Sequence, residues 1–406
     1  MADTTETRVA PYQRVSDVDV IMTIEKPRPV MGLGNLLILT EIDASKIPST
    51  PASTTGDNKD ADAQPKAQSQ DFNQVTYDEH GVPNVCTKQT GLLLSKADPK
   101  SGAVYKEYSD LDAVSEDYPE GMPVYFKSNF YFAQSYHSDR IAVLAYPKGK
   151  LNDALGAFWY NNWTFAVFAD SKNSTGDYIQ ASNIFEANKD HFLVLQFETG
   201  EAIDNAKLGG QDYTIATVHA LNEAMDSALV GATASLTVGS VTWKFRKLNG
   251  ITPDDLTVGE RKGIDSSHGI AYITVMGEPE TSEGWTLSGD YIDNLHGDIW
   301  IKSNIQGKIQ TLLQQNNKIP YEASGINMLV AAVTEVLATG WEQGIILTDE
   351  ATKKGSYSVT ASPRSAQSIE DISKRHYGGI NFTYHRSGAI HTVTVNGTVQ
   401  SDTITR

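Results

Sequence analysis

Between residues 138 and 221 the chain repeats one motif: a short, wholly apolar run followed by an amphipathic one. The runs RIAVLAY, TFAVFAD, HFLVLQFE and YTIATVHAL alternate with LNDALGAFWY and GDYIQASNIFEAN. Strands apolar on both faces need cover on both faces, and helical crossovers supply it when the strands are parallel. The alternation therefore predicts an α/β fold with a mostly parallel sheet covered by helices. The run Leu36 to Ile42 reads as a first buried strand. Helices are expected over SDLDAVSEDY, with Ser109 as N-cap, over PVYFKSNFYFAQS, and around Met225 to Ala234.

Further on, GSVTWKFRK alternates Val241, Trp243 and Phe245 with Lys244 and Arg246 and reads as a strand. Thr252, Pro253, Asp254 and Asp255 read as a helix start, and AYITVMG as another strand. Ile301, Ile305, Ile309 and Leu312 keep a helical period, as do Ile326, Leu329, Val330, Val333, Val336 and Leu337, with Gly340 at the C′ position. SAQSIEDISKRHY predicts a last short helix.

The two ends carry strand signals that no core obviously claims. Val18, Val20, Met22 and Ile24 alternate with Asp17, Asp19 and Thr23, and Pro27 and Pro29 stop the run. At the other end Ile380, Phe382 and Tyr384, then His391, Val393 and Val395, alternate with polar residues, and Asn396-Gly397 is a strong hairpin signal. A local meander of three strands fits this pattern. So does an arm that adds its edge to another subunit.

Residues 44–76 are Ser, Thr, Ala, Asp, Pro and Gln with almost no large apolar side chain, which predicts a flexible surface insertion. The net charge of −17 argues against a nucleic-acid partner, no apolar run approaches a bilayer span, no secretory segment is visible at the N-terminus, and the single cysteine, Cys86, excludes an internal disulfide.

Signals for chemistry are weak. Gly32-Leu33-Gly34 precedes its strand rather than following one and lacks the third glycine of a dinucleotide fingerprint. Asn58, Asp60 and Asp62 imitate the opening of a calcium loop without its glycine or closing glutamate. Asp293, His296 and Asp298 could be drawn as a metal or acid–base cluster, but Asp298 serves equally as a favourable charge at the start of the Ile301 helix. His385 and His391 flank one turn and lack a third ligand. Tyr321, Tyr357 and Trp341 read as core or interface aromatics. No catalytic, cofactor or metal residue is therefore assigned.

Four stretches in order, GSVTWKFRKLNGITP, GDYIDNLHGDIWIKSNIQGKIQTLL, KIPYEASGI and RHYGGINFTYHRSGAIHTVTVNGTV, resemble the tail sheath proteins of contractile-tailed bacteriophages. The resemblance runs from about residue 105 to the end and weakly through 15–42. It implies a non-enzymatic subunit of the virion, assembled in the host bacterial cytoplasm. Such subunits stack in six-fold rings around the tail tube protein and meet baseplate and tail terminator proteins, with neither nucleic acid nor membrane as partner. It implies an N-terminal arm (1–26), an α/β domain (27–250), a C-terminal α+β domain (251–388) and a C-terminal β arm (389–406). Val18, Val20, Met22, Ile24, His391, Val393 and Val395 would then be inter-subunit contacts, and contraction would drive the tube into the host envelope. The alternatives are another structural polymer of the virion, tail tube or capsid, and an α/β hydrolase, for which no nucleophile–base pair can be placed.

Overall fold

A computed structural model describes residues 33–42, 75–77, 83–85, 98–170 and 175–399. The N-terminal strand signal at Val18, Val20, Met22 and Ile24, the calcium-loop imitation and Cys86 lie outside the described residues.

The elements follow the apolar runs. In chain order they are β1 (Leu36–Ile42), β2 (Val75–Tyr77), β3 (Pro83–Val85), β4 (Val104–Tyr108), α1 (Leu111–Asp117), α2 (Pro123–Phe132), β5 (Ile141–Pro147), α3 (Leu151–Phe158), β6 (Phe165–Phe168), α4 (Thr175–Asn188) and β7 (Phe192–Phe197). Then come α5 (Gly200–Ala206), β8 (Thr214–Val218), α6 (Met225–Thr233), α7 (Val258–Ser266), β9 (Gly269–Val275) and β10 (Glu278–Thr281). The chain continues through α8 (Ile292–Gln315), α9 (Ala323–Glu342), β11 (Tyr357–Ala361), α10 (Ile369–Ser373) and β12 (Ile380–Tyr384).

Eight strands form one sheet in the order β10-β9-β8-β7-β6-β1-β5-β4. The six from β9 to β5 are parallel neighbours, and the outermost strands β10 and β4 are antiparallel to theirs. Every residue of β5, β6, β7 and β8 is buried, as the unbroken apolar runs require. The fold is thus α/β with a mostly parallel sheet, and a second, smaller unit follows it. The main core extends from Leu36 through the start of α8, at Ile292, Leu295 and Ile299. A second cluster joins the rest of α8 (Ile301, Ile305) to α9 (Val333, Val336, Leu337) and to Ile345 and Ile346. The two-stranded sheet β11–β12 packs on it through Tyr357, Val359, Ile380, Phe382 and Tyr384.

Several local expectations are corrected. Asp110, not Ser109, caps α1, accepting from the Ala113 amide, while Ser109 donates to the Asp110 carboxylate. Residues 241–246 form no strand: Trp243 is buried, but Phe245 adopts φ +66 and turns outward, which breaks the alternation. The helix expected at 252–255 begins at Val258, behind a capping box of Thr257 and Glu260, whereas Asp254 bridges to Ile273. α8 starts at Ile292, nine residues before Ile301, so Asp298 lies inside it. Gly340 is helical, and Gly344, with φ +89, follows the α9 cap at Gln343. α9 is also long and apolar enough by composition to cross a membrane, with mean hydropathy 1.3 over its most apolar window. One face of it builds the second core, which is the ordinary place for such a helix.

Candidate inter-subunit interface

Helix α8 gathers the roots of both ends of the chain. The His296 ring stands edge-on to Phe165, with centroids 5.2 Å apart, and its Nε2 lies 2.7 Å from the carbonyl of Leu33, just before β1. Two residues on, the buried Asp298 carboxylate accepts from the Tyr384 hydroxyl and from the Arg386 guanidinium. Arg386 also donates to Asp290, at 2.9 Å. Burial raises the Asp298 pKa; Arg386 and the Tyr384 hydroxyl oppose that rise without cancelling it. Asp293 is likewise pushed up by burial, and its Oδ1 has no hydrogen-bond partner among the described residues.

The three residues imagined as one cluster therefore do three jobs. His296 ties the entry to β1, Asp298 ties the exit from β12, and Asp293 lines a recess of about 260 Å³ beside Arg246, Arg386 and Ala389. Among the described residues no group of three His, Cys, Asp or Glu could hold a metal ion. His385 and His391 do not meet across their turn. His385 contacts Ser356, and His391 contacts Thr242.

Beyond Arg386 the chain changes character. Ser387 donates to the Ile345 carbonyl, and from residue 388 to 399 there is no strand and no backbone hydrogen bond among the described residues. Ile390, Val393, Val395 and Val399 are 81, 77, 85 and 94% exposed. The expected meander is thus not formed: β12 pairs antiparallel with β11, Tyr384 opposite Tyr357, and not with the segment that follows it. Val393 and Val395 project into solvent, while His391 faces its own chain.

The segment follows, in the chain, a two-stranded sheet with open strand edges. Neither β11 nor β12 has a second neighbouring strand among the described residues. The large sheet is different. Its β10 edge reads Glu278-Pro279-Glu280-Thr281, and proline with carboxylates blocks strand addition. Its β4 edge is buried throughout.

One titratable cluster escaped the sequence reading. His219, at the end of β8, has Nδ1 2.8 Å from Asp254 and Nε2 2.9 Å from Glu223. Glu223 in turn accepts from the Thr252 amide and hydroxyl. Desolvation lowers the His219 pKa, but hydrogen bonds to Asp254 and then Glu223 outweigh it and leave it raised. A general base needs a ring nitrogen open to substrate, and here both are taken by carboxylates. The cluster is a clamp holding residues 252–254 against the sheet. Glu223 lies four residues from His219 in a turn that carries no pattern, and Asp254 is delivered by its bridge to Ile273 of β9, so no sign of the cluster is legible in the sequence.

Residues 292–399 match the family described as E217 tail sheath protein gp31-like, C-terminal domain. No curated protein matches. The fold of the chain is similar to one in the baseplate of the anti-feeding prophage, six-fold symmetrised. There the TM-score is 0.54 at 13% identity, covering 86% of this chain and 99% of that one. It is also similar to the contracted helical sheath of the same particle, with TM-score 0.51 at 13% identity over 86% of this chain and 100% of that one. A chain of the contracted baseplate gives 0.51 at 10% identity over 74% of this chain and 89% of that one. Residues 292–399 thus match a tail sheath C-terminal domain, and over 86% of its length the chain shares the fold of a contractile helical sheath subunit.

Proposed function

We propose that this protein polymerises as the sheath around a phage tail tube by exchanging terminal strands between copies. The observation that carries this reading is the segment 388–399, in no strand pairing and with its valines exposed, following a two-stranded sheet with no further strand neighbour among the described residues. Two strands alone are marginal, and a third from a neighbour completes the unit. The guarded edges of the large sheet leave the small sheet as the acceptor.

Energetics favour a lattice over an isolated pair. Backbone hydrogen bonds at about 1 kcal/mol each only offset an ordering cost of about 1–2 kcal/mol per residue. Burial of Val393, Val395 and Val399, at about 2 kcal/mol each, then sets the sign. Each link is weak, so many must act together, and weak extended links persist while the bodies between them pivot. Contraction is then a repacking of these bodies that drives the tube into the host envelope. Rings stacked six-fold, contact with tube, baseplate and terminator proteins, a place in the virion after assembly in the host cytoplasm, and a matching N-terminal arm through Val18, Val20, Met22 and Ile24 belong to the same proposal. Removing residues 392–406 should leave a folded, soluble chain that forms no tubes by negative-stain microscopy. Ordered tubes from the shortened chain would refute the exchange.

A further inference from the structure

His391 is the last described residue of the chain that is bound to the body. Its side chain is 8% exposed, between Ile390 at 81% and Val393 at 77%. Nε2 lies 2.7 Å from the Thr242 hydroxyl, and Nδ1 lies 3.5 Å from Glu283. The ring stands edge-on to Tyr291, with centroids 4.8 Å apart, and to Phe245, at 6.0 Å. Phe245 reaches this position with φ +66, a conformation that costs a bulky residue strain. The cradle is thus built from the irregular 242–245 stretch, the loop after β10 and the cap of α8.

An extended chain alternates its faces residue by residue. A side chain fixed at 391 therefore fixes which way 393 and 395 point, ahead of the Asn396-Gly397 turn signal. Both are valines, and Thr392 and Thr394 take the other face. Against a neighbouring copy, a shift of one residue would turn the valines away from the surface they are to meet, whereas a shift of two would restore them.

We propose that His391 is a register peg: seated in the Thr242–Phe245–Glu283–Tyr291 cradle, it sets where the C-terminal arm begins and which of its faces meets the neighbouring copy. The inference rests on the strand-exchange reading above and adds a positioning residue to it. A slack tether would let the arm find its own register, and a pegged one does not.

Two insertions in the full-length chain separate the cases. One threonine placed between His391 and Thr392 reverses the parity of the arm, and Thr-Ser placed there preserves it. Both lie in an exposed segment and keep every native side chain, and thermal unfolding checks that the body is unchanged. Sedimentation then measures the concentration at half-assembly. The single insertion is expected to raise it ~10-fold or more and the double insertion no more than ~3-fold. In a His391→Ala background the two insertions should agree within ~2-fold, because the reference point is gone. His391→Phe, which keeps the ring packing, should restore part of the difference. Equal effects of the two insertions in the chain that retains His391 would overturn the peg while leaving strand exchange standing. Tubes from a chain lacking 392–406 would instead refute strand exchange, and the peg with it.

Discussion

Replacing Arg386 with methionine tests the mooring on α8 most directly. Methionine keeps the stem and removes the charge. Asp298, 8% exposed at its side chain, is left with the Tyr384 hydroxyl as partner. Removing one member of a buried pair costs about 3–5 kcal/mol. Arg386 is 38% exposed and partly screened, so about 2–3 kcal/mol is the expectation at neutral pH. In a chain of 406 residues that is a fall of about 2–4 °C in the calorimetric transition. The loss must depend on pH. The Asp298 carboxyl already sits above its ordinary value through burial, and Arg386 is the main force holding it down. Without Arg386 it rises further. A carboxyl whose native pKa exceeds its unfolded one binds a proton more readily in the folded state, so the native state gains stability as pH falls through the native value. The deficit of Arg386→Met should therefore shrink between pH 7.5 and pH 5. Adding Asp298→Asn should recover most of it at pH 7.5. An equal deficit at both pH values, or no recovery with asparagine, would refute the reasoning.

The clamp at His219 gives the opposite pH dependence. Its native pKa is raised, so its contribution is complete below about pH 6.5 and fades as pH climbs through the native value. His219→Gln should accordingly cost more melting temperature at pH 6 than at pH 8.5, and an unchanged gap would show that the ring is not charged in the fold. Gly239 has φ +89, and a Cβ there would stand 2.5 Å from Ile345 Cγ1 and 2.9 Å from the Gln343 carbonyl. Gly239→Ala should destabilise the second core by about 2–4 kcal/mol in urea unfolding, whereas Gly210→Ala, strained but meeting nothing within 4 Å, should cost clearly less.

What could be read from the chain followed from periodicity, and what could not was decided at long range. β5 and β6 are apolar on every residue, β7 on all but Gln196 and β1 on all but Thr40 and Glu41, and such runs could be little else. The start of α8 was missed because Asp293, His296 and Asp298 look like a loop. The burial of His296 and Asp298 is compensated at Leu33 and Arg386, 263 and 88 residues away, and no local pattern encodes that. The Val241-Trp243-Phe245 alternation was misleading for a related reason. Trp243 belongs to the core, while Phe245 turns out to meet His391. Asn396-Gly397 carries a genuine turn signal, yet a turn makes a hairpin only where the flanking strands have something to bury against. Here the valines have no such surface on their own chain among the described residues.

Under the strand exchange proposed above, the same geometry sets how load would pass through a subunit. His296 and Asp298 are two residues apart on a 24-residue helix, and they hold the segments on which the two ends of the chain depart. A pull on the C-terminal segment meets His391 and its cradle first, then Arg386, Asp298 and the backbone of α8, and from there His296 and Leu33. It need not cross the large sheet. A helix of this length is about 36 Å of hydrogen-bonded rod, buried at its start in one core and further along in the other. Buried ionic contacts are poor sources of net stability but good determinants of position, because they tolerate little displacement before a charge is left uncompensated. That is what a subunit needs if its connections are to hold while its packing against neighbours changes, and it accounts for buried charge at Asp298, where an apolar residue would pack at lower cost.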